Sequence, residues 1–162
     1  MMGLFFEECE PGMSWVLGEH RFTREAILRF AQAYDPQPFH VDDEAAARSP
    51  FGALIASGWH TAAGWMRCFV GSNDRARRER LERGEALSAL GPSPGFRNLK
   101  WLKPVYAGDA LTFNLTITGK RPLASRPDWG LVEMHSEGMN RNGELAFAFD
   151  GKVLVARRRR IP

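Results

Sequence analysis

An acidic residue and a histidine stand five positions apart in a proline-rich segment of this chain. Asp35 and His40 enclose the tetrapeptide Pro36-Gln37-Pro38-Phe39. Proline lacks an N–H donor, fixes its own φ and disfavours the α region in the residue before it. The pattern therefore predicts a turn that is not helical, on which the carboxylate and the imidazole can converge. Two such groups sharing one water are the minimal equipment for general acid–base chemistry.

Two other interpretations of the same segment have to be weighed. It can be a surface loop in which Asp35 caps a neighbouring element and His40 has no role. It can also be a metal site, because Asp42 and Asp43 follow closely. No second His or Cys completes a ligand set around them, so the sequence predicts no metal.

A helix is predicted on each side of the turn. Thr23 is a suitable N-cap, and the Asp35-Pro36 junction must end the helix that follows it. A short helix is predicted over 41–48, where three acidic residues suit the positive end of a helix dipole. The first helix has an apolar face with the spacing i, i+3, i+4, i+7, formed by Ile27, Phe30, Ala31 and Tyr34.

A longer helix is predicted further along the chain, after the compact apolar segment 50–58. It is apolar around much of its circumference, which is typical of a buried helix. Gly71 and the polar residues after it are predicted to end this helix, and the charged segment 75–89 is predicted to form a separate surface helix. The apolar face of the buried helix comprises Ala62, Trp65, Met66 and Phe69.

The last third of the chain has the pattern of β-structure. Apolar residues alternate strictly with polar ones over 111–118, as in a half-buried strand. Asn142-Gly143 is a strong hairpin signal, and 96–105 is a further strand candidate. With residues 1–22 as a loop or short strand, the order predicts an α+β fold in which three or four antiparallel strands wrap around the long helix. We expect one domain spanning 1–162.

Composition excludes several classes of protein. Hydrophobic residues make up 44% of the 162 residues and charged residues 25%, as in ordinary globular proteins. No apolar run approaches the roughly 18–20 residues that span a bilayer, and residues 1–10 lack a basic residue, so neither a membrane partner nor a signal peptide is predicted. Cys9 and Cys68 suit a reducing compartment, which predicts a cytoplasmic protein with inert thiols. Without a phosphate loop or a dinucleotide fingerprint, we predict no cofactor.

These motifs together resemble those of the MaoC-like dehydratases, which include the (R)-specific enoyl-CoA hydratases. The matching stretches are DPQPFHVD at 35–42, FGALIASG at 51–58 and KPVYAGD at 103–109. The resemblance spans about Thr23 to Val155 and implies a hotdog fold, in which an antiparallel sheet wraps a long central helix. The chain differs from the family pattern at several positions, which include Gln37, where Asn is common, and Ser57, where His is common.

The resemblance also implies a reaction and a site. Water would be added to, or removed from, the C2=C3 bond of an enoyl thioester, with acyl-CoA as the substrate. Asp35 would deprotonate the water, His40 would hold it and help to deliver a proton, and the backbone N–H of Gly58 would stabilise the enolate oxygen. Phe39 and Trp59 would line the substrate pocket. The family resemblance and the unpaired sheet edges predict a homodimer or a dimer-based oligomer.

Other functions remain open from the sequence. A catalytically silent hotdog module that binds acyl-CoA is one alternative. A hotdog thioesterase is another, although the segment 58–70 lacks the acidic residue that those enzymes usually carry there. A net charge of +3 and arginine clusters at 75–83 and 157–160 could attract the phosphates of coenzyme A. No aromatic residues or binding motif accompany the arginine tail, so no nucleic-acid partner is predicted.

Overall fold

The computed structural model describes residues 3–158, and Arg159 and Arg160 of the basic tail lie outside this range. A short 3₁₀ turn at Phe6–Glu8 precedes the first strand. The remaining elements, in chain order, are β1 (Ser14–Arg21), α1 (Arg24–Tyr34), α2 (Pro38–Val41), α3 (Asp43–Ala47), α4 (Gly58–Glu82), β2 (Gly95–Trp101), β3 (Ala110–Pro122), β4 (Trp129–Met139) and β5 (Leu145–Ala156).

The five strands form one antiparallel sheet in the order β1-β3-β4-β5-β2, so β1 and β2 are its edges. The predicted hairpin is confirmed: Gly143 has a φ of 73°, and its N–H donates to the carbonyl of Asn140 at 3.0 Å. The predicted alternation in β3 is also confirmed, because its apolar side chains are buried on one face of the sheet. These buried residues are Leu111, Phe113, Leu115 and Ile117.

The first half of α4 lies against this buried face of the sheet. Trp65 is buried and meets the ring of Phe149 edge-on, with 4.7 Å between the centroids. A Cβ at Gly64 would lie 2.9 Å from the ring of His20 and 3.0 Å from that of Phe22, so glycine permits this close approach of α4 to β1. A curved antiparallel sheet around a long central helix confirms the predicted α+β hotdog fold.

The predicted end of the central helix at Gly71 is wrong, because α4 continues without a break to Glu82. Glycine inside a helix costs about 1 kcal/mol relative to alanine, and contacts beyond it offset that cost. Arg75 donates to the carbonyl of Leu17 at 3.2 Å, and Arg80 pairs with Glu8 at 3.1 Å.

None of the helices in the described range is long and apolar enough to cross a lipid bilayer.

Candidate active site

The turn between α1 and α4 begins where the sequence predicts but contains a helix that it does not. Thr23 caps α1 by accepting the N–H of Ala26 at 3.2 Å, and α1 ends at the residue before Asp35. A one-turn helix, α2, then starts at Pro38 and carries His40. The expectation that no part of this turn is helical is therefore wrong. Proline is well suited to the first helical position, because its missing N–H would have had no partner there.

Asp35 and His40 converge as the sequence predicts. The carboxylate oxygen Oδ2 of Asp35 lies 3.5 Å from Nε2 of His40, whose side chain is almost completely buried. Nδ1 of His40 lies 2.9 Å from the carbonyl oxygen of Ile55. Because a carbonyl can only accept, Nδ1 carries the proton of the neutral ring and Nε2 presents its lone pair to the carboxylate. Two acceptors thus face one point, which suits a water that donates to both.

Two neutral side chains hold the Asp35 carboxylate, one at each oxygen. Gln37 donates from Nε2 to Oδ1 at 2.8 Å, and the hydroxyl of Ser57 donates to Oδ2 at 2.6 Å. Partial burial raises the pKa of Asp35, the hydrogen bonds from Ser57 and Gln37 lower it, and the net result is a pKa below its usual value. Asp35 is therefore a carboxylate at neutral pH and can act as a base.

The N-terminus of α4 adjoins the Asp35 carboxylate through Ser57. Ser57 is its N-cap and accepts the N–H of Trp59 at 3.2 Å, and Gly58 is the first helical residue. The carbonyl of Gly58 accepts a hydrogen bond from the indole Nε1 of Trp101 at 2.8 Å. A Cβ at position 58 would lie only 2.5 Å from that indole ring. Glycine is thus required here by the packing of Trp101, a reason that the sequence did not reveal.

All five residues assigned to the site by the sequence analysis line one cavity of about 420 Å³. They are Asp35, Phe39, His40, Gly58 and Trp59. Residues that follow β2 complete the wall, with Lys103 as the one additional charged residue of the lining that the structure describes. The cavity therefore brings an acid–base pair, a helix N-terminus and aromatic surface together.

A second cavity of about 210 Å³ lies between α4 and the sheet and has an apolar lining. Trp65, from the predicted apolar face of the buried helix, lines this second cavity and not the first. Trp59 lines both cavities, and its ring meets that of Trp101 at 5.4 Å in an edge-on contact. Trp59 therefore stands between this apolar cavity and the first cavity, the candidate catalytic cavity that Asp35 and His40 line.

The described residues of the two arginine clusters lie away from the candidate catalytic cavity. Arg75 is 17 residues beyond Gly58 in α4, or about 25 Å along the helix axis at ~1.5 Å per residue. Arg157 pairs with Glu7 at 3.0 Å, and Arg158 pairs with Glu8 at 3.1 Å. The described residues of the tail thus join the two ends of the chain, which gives them a structural role.

His60 lies in the first turn of α4 and is buried. Its Nδ1 is buried without a hydrogen-bond partner among the described residues, and its ring stacks on that of Phe30 at 4.7 Å. Burial, with smaller contributions from His20 and Arg29, lowers the pKa of His60 to about 4.

Within residues 3–158, no cluster of His, Cys, Asp and Glu has a composition and arrangement that could hold a metal ion.

Sequence reasoning missed three residues of the site. Ser57 and Gln37 were noted only as departures from the family pattern, yet they hold the Asp35 carboxylate. Trp101 was not noted at all. The available signal for Ser57 was its position directly before a helix that starts with glycine, since serine is a preferred N-cap.

Comparisons with known proteins identify relatives of this chain. Residues 10–76 match the family model described as "MaoC like domain". The crystal structure of a MaoC-like dehydratase from Rhodospirillum rubrum is 37% identical and superposes with a TM-score of 0.81, covering 98% of this chain and 100% of that one. An uncharacterised protein of Bacillus subtilis, YdeM, is 26% identical over 137 residues, which are 85% of this chain and 88% of YdeM.

A third relative has a named activity. The 3-hydroxybutyryl-CoA dehydratase of Methylorubrum extorquens is 37% identical to this chain over 60 residues, which are 36% of this chain and 38% of that protein. The full-length match to the Rhodospirillum rubrum structure, together with the family model over the segment that carries the Asp and His, identifies this chain as a member of the MaoC-like dehydratase family.

Proposed function

We propose that this protein catalyses the reversible hydration of the C2=C3 bond of an enoyl thioester to a 3-hydroxyacyl thioester, with acyl-CoA as the substrate. The observation that carries the proposal is the pair of acceptors, Asp35 Oδ2 and His40 Nε2, set 3.5 Å apart in a cavity beside a helix N-terminus. A water bound between them would have both hydrogens engaged and its oxygen free to attack carbon.

In the hydration direction, the water oxygen bonds to C3 while Asp35 accepts a proton from it. The C2=C3 electrons move onto the thioester carbonyl and form an enolate. The proton then passes to C2, and His40 lies close enough to Asp35 to relay it. The product thus gains one OH and one H from a single water. Dehydration follows the same path in reverse, with the roles of acid and base exchanged.

Charge that develops on the thioester oxygen requires a donor. Gly58 is the first residue of α4, where backbone N–H groups have no partner within the helix and the helix dipole is positive. Removal of one preformed donor of this kind costs about 3–4 kcal/mol in other enzymes. We assign the enolate oxygen to the N–H of Gly58, the residue that follows Ser57 at the start of α4.

The dehydratase of Methylorubrum extorquens supports a CoA thioester, because its name specifies 3-hydroxybutyryl-CoA. The bulk of Phe39 and Trp59 in the cavity wall supports a short or compact acyl group. We therefore propose crotonyl-CoA and its close analogues as the preferred substrates.

We also propose that the protein is a homodimer that pairs through the edge strand β2. Unpaired edge strands expose N–H and C=O groups that need covering. Large apolar side chains at or next to this edge are exposed, namely Phe96, Trp101 and Leu102. A stable monomer at micromolar concentration, measured by light scattering, would contradict this proposal.

The function is tested by incubating the protein with trans-2-enoyl-CoA thioesters of increasing chain length and recording the loss of enoyl absorbance. Asp35→Asn and His40→Ala should each lower turnover by about 10²–10⁴-fold, the usual contribution of an acid–base group, without loss of the folded state. Near-normal activity in both variants would show that the assigned site is wrong. Binding of enoyl-CoA without turnover would favour a silent binding module, and release of free thiol would favour a thioesterase.

A further inference from the structure

We propose that Ser57 is a positioning residue, which holds the Asp35 carboxylate in the orientation that lets it act on the substrate water. This inference rests on the proposed function and adds a residue to its machinery. Ser57 touches neither the bound water nor the thioester in the proposed reaction. It acts through Asp35.

Two hydrogen bonds orient the hydroxyl of Ser57, one donated and one accepted. It donates its one hydrogen to Oδ2 of Asp35 at 2.6 Å and accepts the N–H of Trp59 at 3.2 Å. The residue is 1% exposed, so bulk water does not compete for these contacts. A buried hydrogen bond from an oriented hydroxyl to a carboxylate is short and strong compared with one between neutral groups.

The oxygen that Ser57 holds is the one that faces the proposed water. Oδ2 of Asp35 is also the atom that lies 3.5 Å from Nε2 of His40. Gln37 holds the other oxygen at 2.8 Å but is exposed to solvent. Without Ser57, the carboxylate would keep only this exposed contact and could rotate about its Cβ–Cγ bond. The orientation of Oδ2 toward the water therefore depends on Ser57.

The same hydroxyl also links the two halves of the site. As the N-cap of α4, Ser57 fixes the start of the helix whose first residue is Gly58. One side chain thus sets the distance between the base and the proposed enolate donor. Productive geometry in enzymes tolerates only small displacements, and a shift of about 1 Å can cost ~10²-fold in rate.

The test compares three variants of the full chain. Ser57→Ala removes both the cap and the contact with Asp35, whereas Ser57→Thr retains a hydroxyl for both. Thr23→Ala is the matched control, because Thr23 caps α1 through the same kind of side-chain contact and lies outside the catalytic cavity. The readouts are kcat, KM, the pH profile of kcat/KM on crotonyl-CoA and thermal stability.

Ser57→Ala should lower kcat about tenfold or more with little change in KM, since the lost contact orients the base and does not bind substrate. The acidic limb of its pH profile should move up by about one pH unit, because a donor that stabilises the carboxylate is lost. Ser57→Thr should restore both. Thr23→Ala should lower stability by a similar amount and leave kcat and the pH profile unchanged.

The other titratable groups at the cavity do not account for a lower kcat and a shifted acidic limb in Ser57→Ala alone. His40 faces Asp35 in every variant, and Lys103 pairs with Glu144 at 2.5 Å. Equal kcat and equal acidic limbs in Ser57→Ala and Thr23→Ala would overturn the proposal.

A measurement that needs no turnover separates this inference from the proposed function. The pKa of the Asp35 carboxyl, followed by ¹³C NMR, should rise in Ser57→Ala and stay at the wild-type value in Thr23→Ala. If the wild-type protein hydrates no enoyl thioester, the proposed function fails and this comparison still decides whether Ser57 holds the carboxylate. An unchanged carboxyl pKa in Ser57→Ala overturns the positioning role.

Discussion

Replacing His60 with phenylalanine should reduce the dependence of stability on pH. The ring of His60 is 7% exposed and stacks nearly parallel on Phe30, which an aromatic replacement can preserve. Its pKa falls from 6.5 in the unfolded chain to about 4 in the folded protein, chiefly because burial disfavours the imidazolium. In the folded protein, His60 therefore stays neutral at pH values at which it is protonated in the unfolded chain.

The sign of the effect follows from proton uptake. As the pH falls through 6.5, the unfolded chain binds a proton that the folded protein does not, so acid favours unfolding until the pH reaches about 4. Between about pH 7.5 and pH 5, this linkage should lower the free energy of unfolding of the wild type by at most about 2 kcal/mol. The His60→Phe variant lacks the titrating group and should lose less stability over the same interval by that amount.

The assay is urea denaturation followed by tryptophan fluorescence at both pH values. Wild type and variant should differ in the change of unfolding free energy between the two pH values, whatever their absolute stabilities. Equal changes in the two proteins would refute the argument that burial keeps His60 neutral. A larger pH effect in the variant would contradict even its sign.

Two further predictions concern selectivity and the basic tail. Trp59→Ala should open the catalytic cavity toward the apolar cavity of about 210 Å³ and raise kcat/KM for dodecenoyl-CoA relative to crotonyl-CoA; a wild type that already prefers dodecenoyl-CoA would contradict the premise. Deletion of residues 157–162 removes the ion pairs to Glu7 and Glu8, each worth at most about 1 kcal/mol. It should lower thermal stability and leave KM for enoyl-CoA unchanged at low salt. A KM that is higher in the deletion variant than in the wild type at low salt, with the difference disappearing at high salt, would assign the tail to coenzyme A binding.

The parts of this fold that sequence could predict are those decided by neighbours in the chain. The cap at Thr23, the alternation in β3 and the Asn142-Gly143 hairpin each depend on residues a few positions apart, and all three are confirmed. The convergence of Asp35 with His40 also belongs to this class, because both lie on one short turn. Local spacing and backbone restriction were sufficient for these features.

The features that were missed depend on residues distant in the sequence. The contact between Ser57 and Asp35 joins positions 22 apart, and nothing in either local pattern indicates it. Similarly, α4 passes Gly71 because Arg75 and Arg80 beyond it contact β1 and the N-terminal 3₁₀ turn. Local propensity favoured a break at that glycine, and tertiary contacts overrode it.

The packing of Trp101 against Gly58 has a consequence for how this protein can evolve. The two residues are 43 positions apart, yet the indole leaves no space for a Cβ at position 58 and holds its carbonyl by a hydrogen bond. A larger residue at 58 would be tolerated only after the tryptophan had been replaced by something smaller. The order of substitution is therefore constrained, and among descendants of this sequence the two positions should change as a pair.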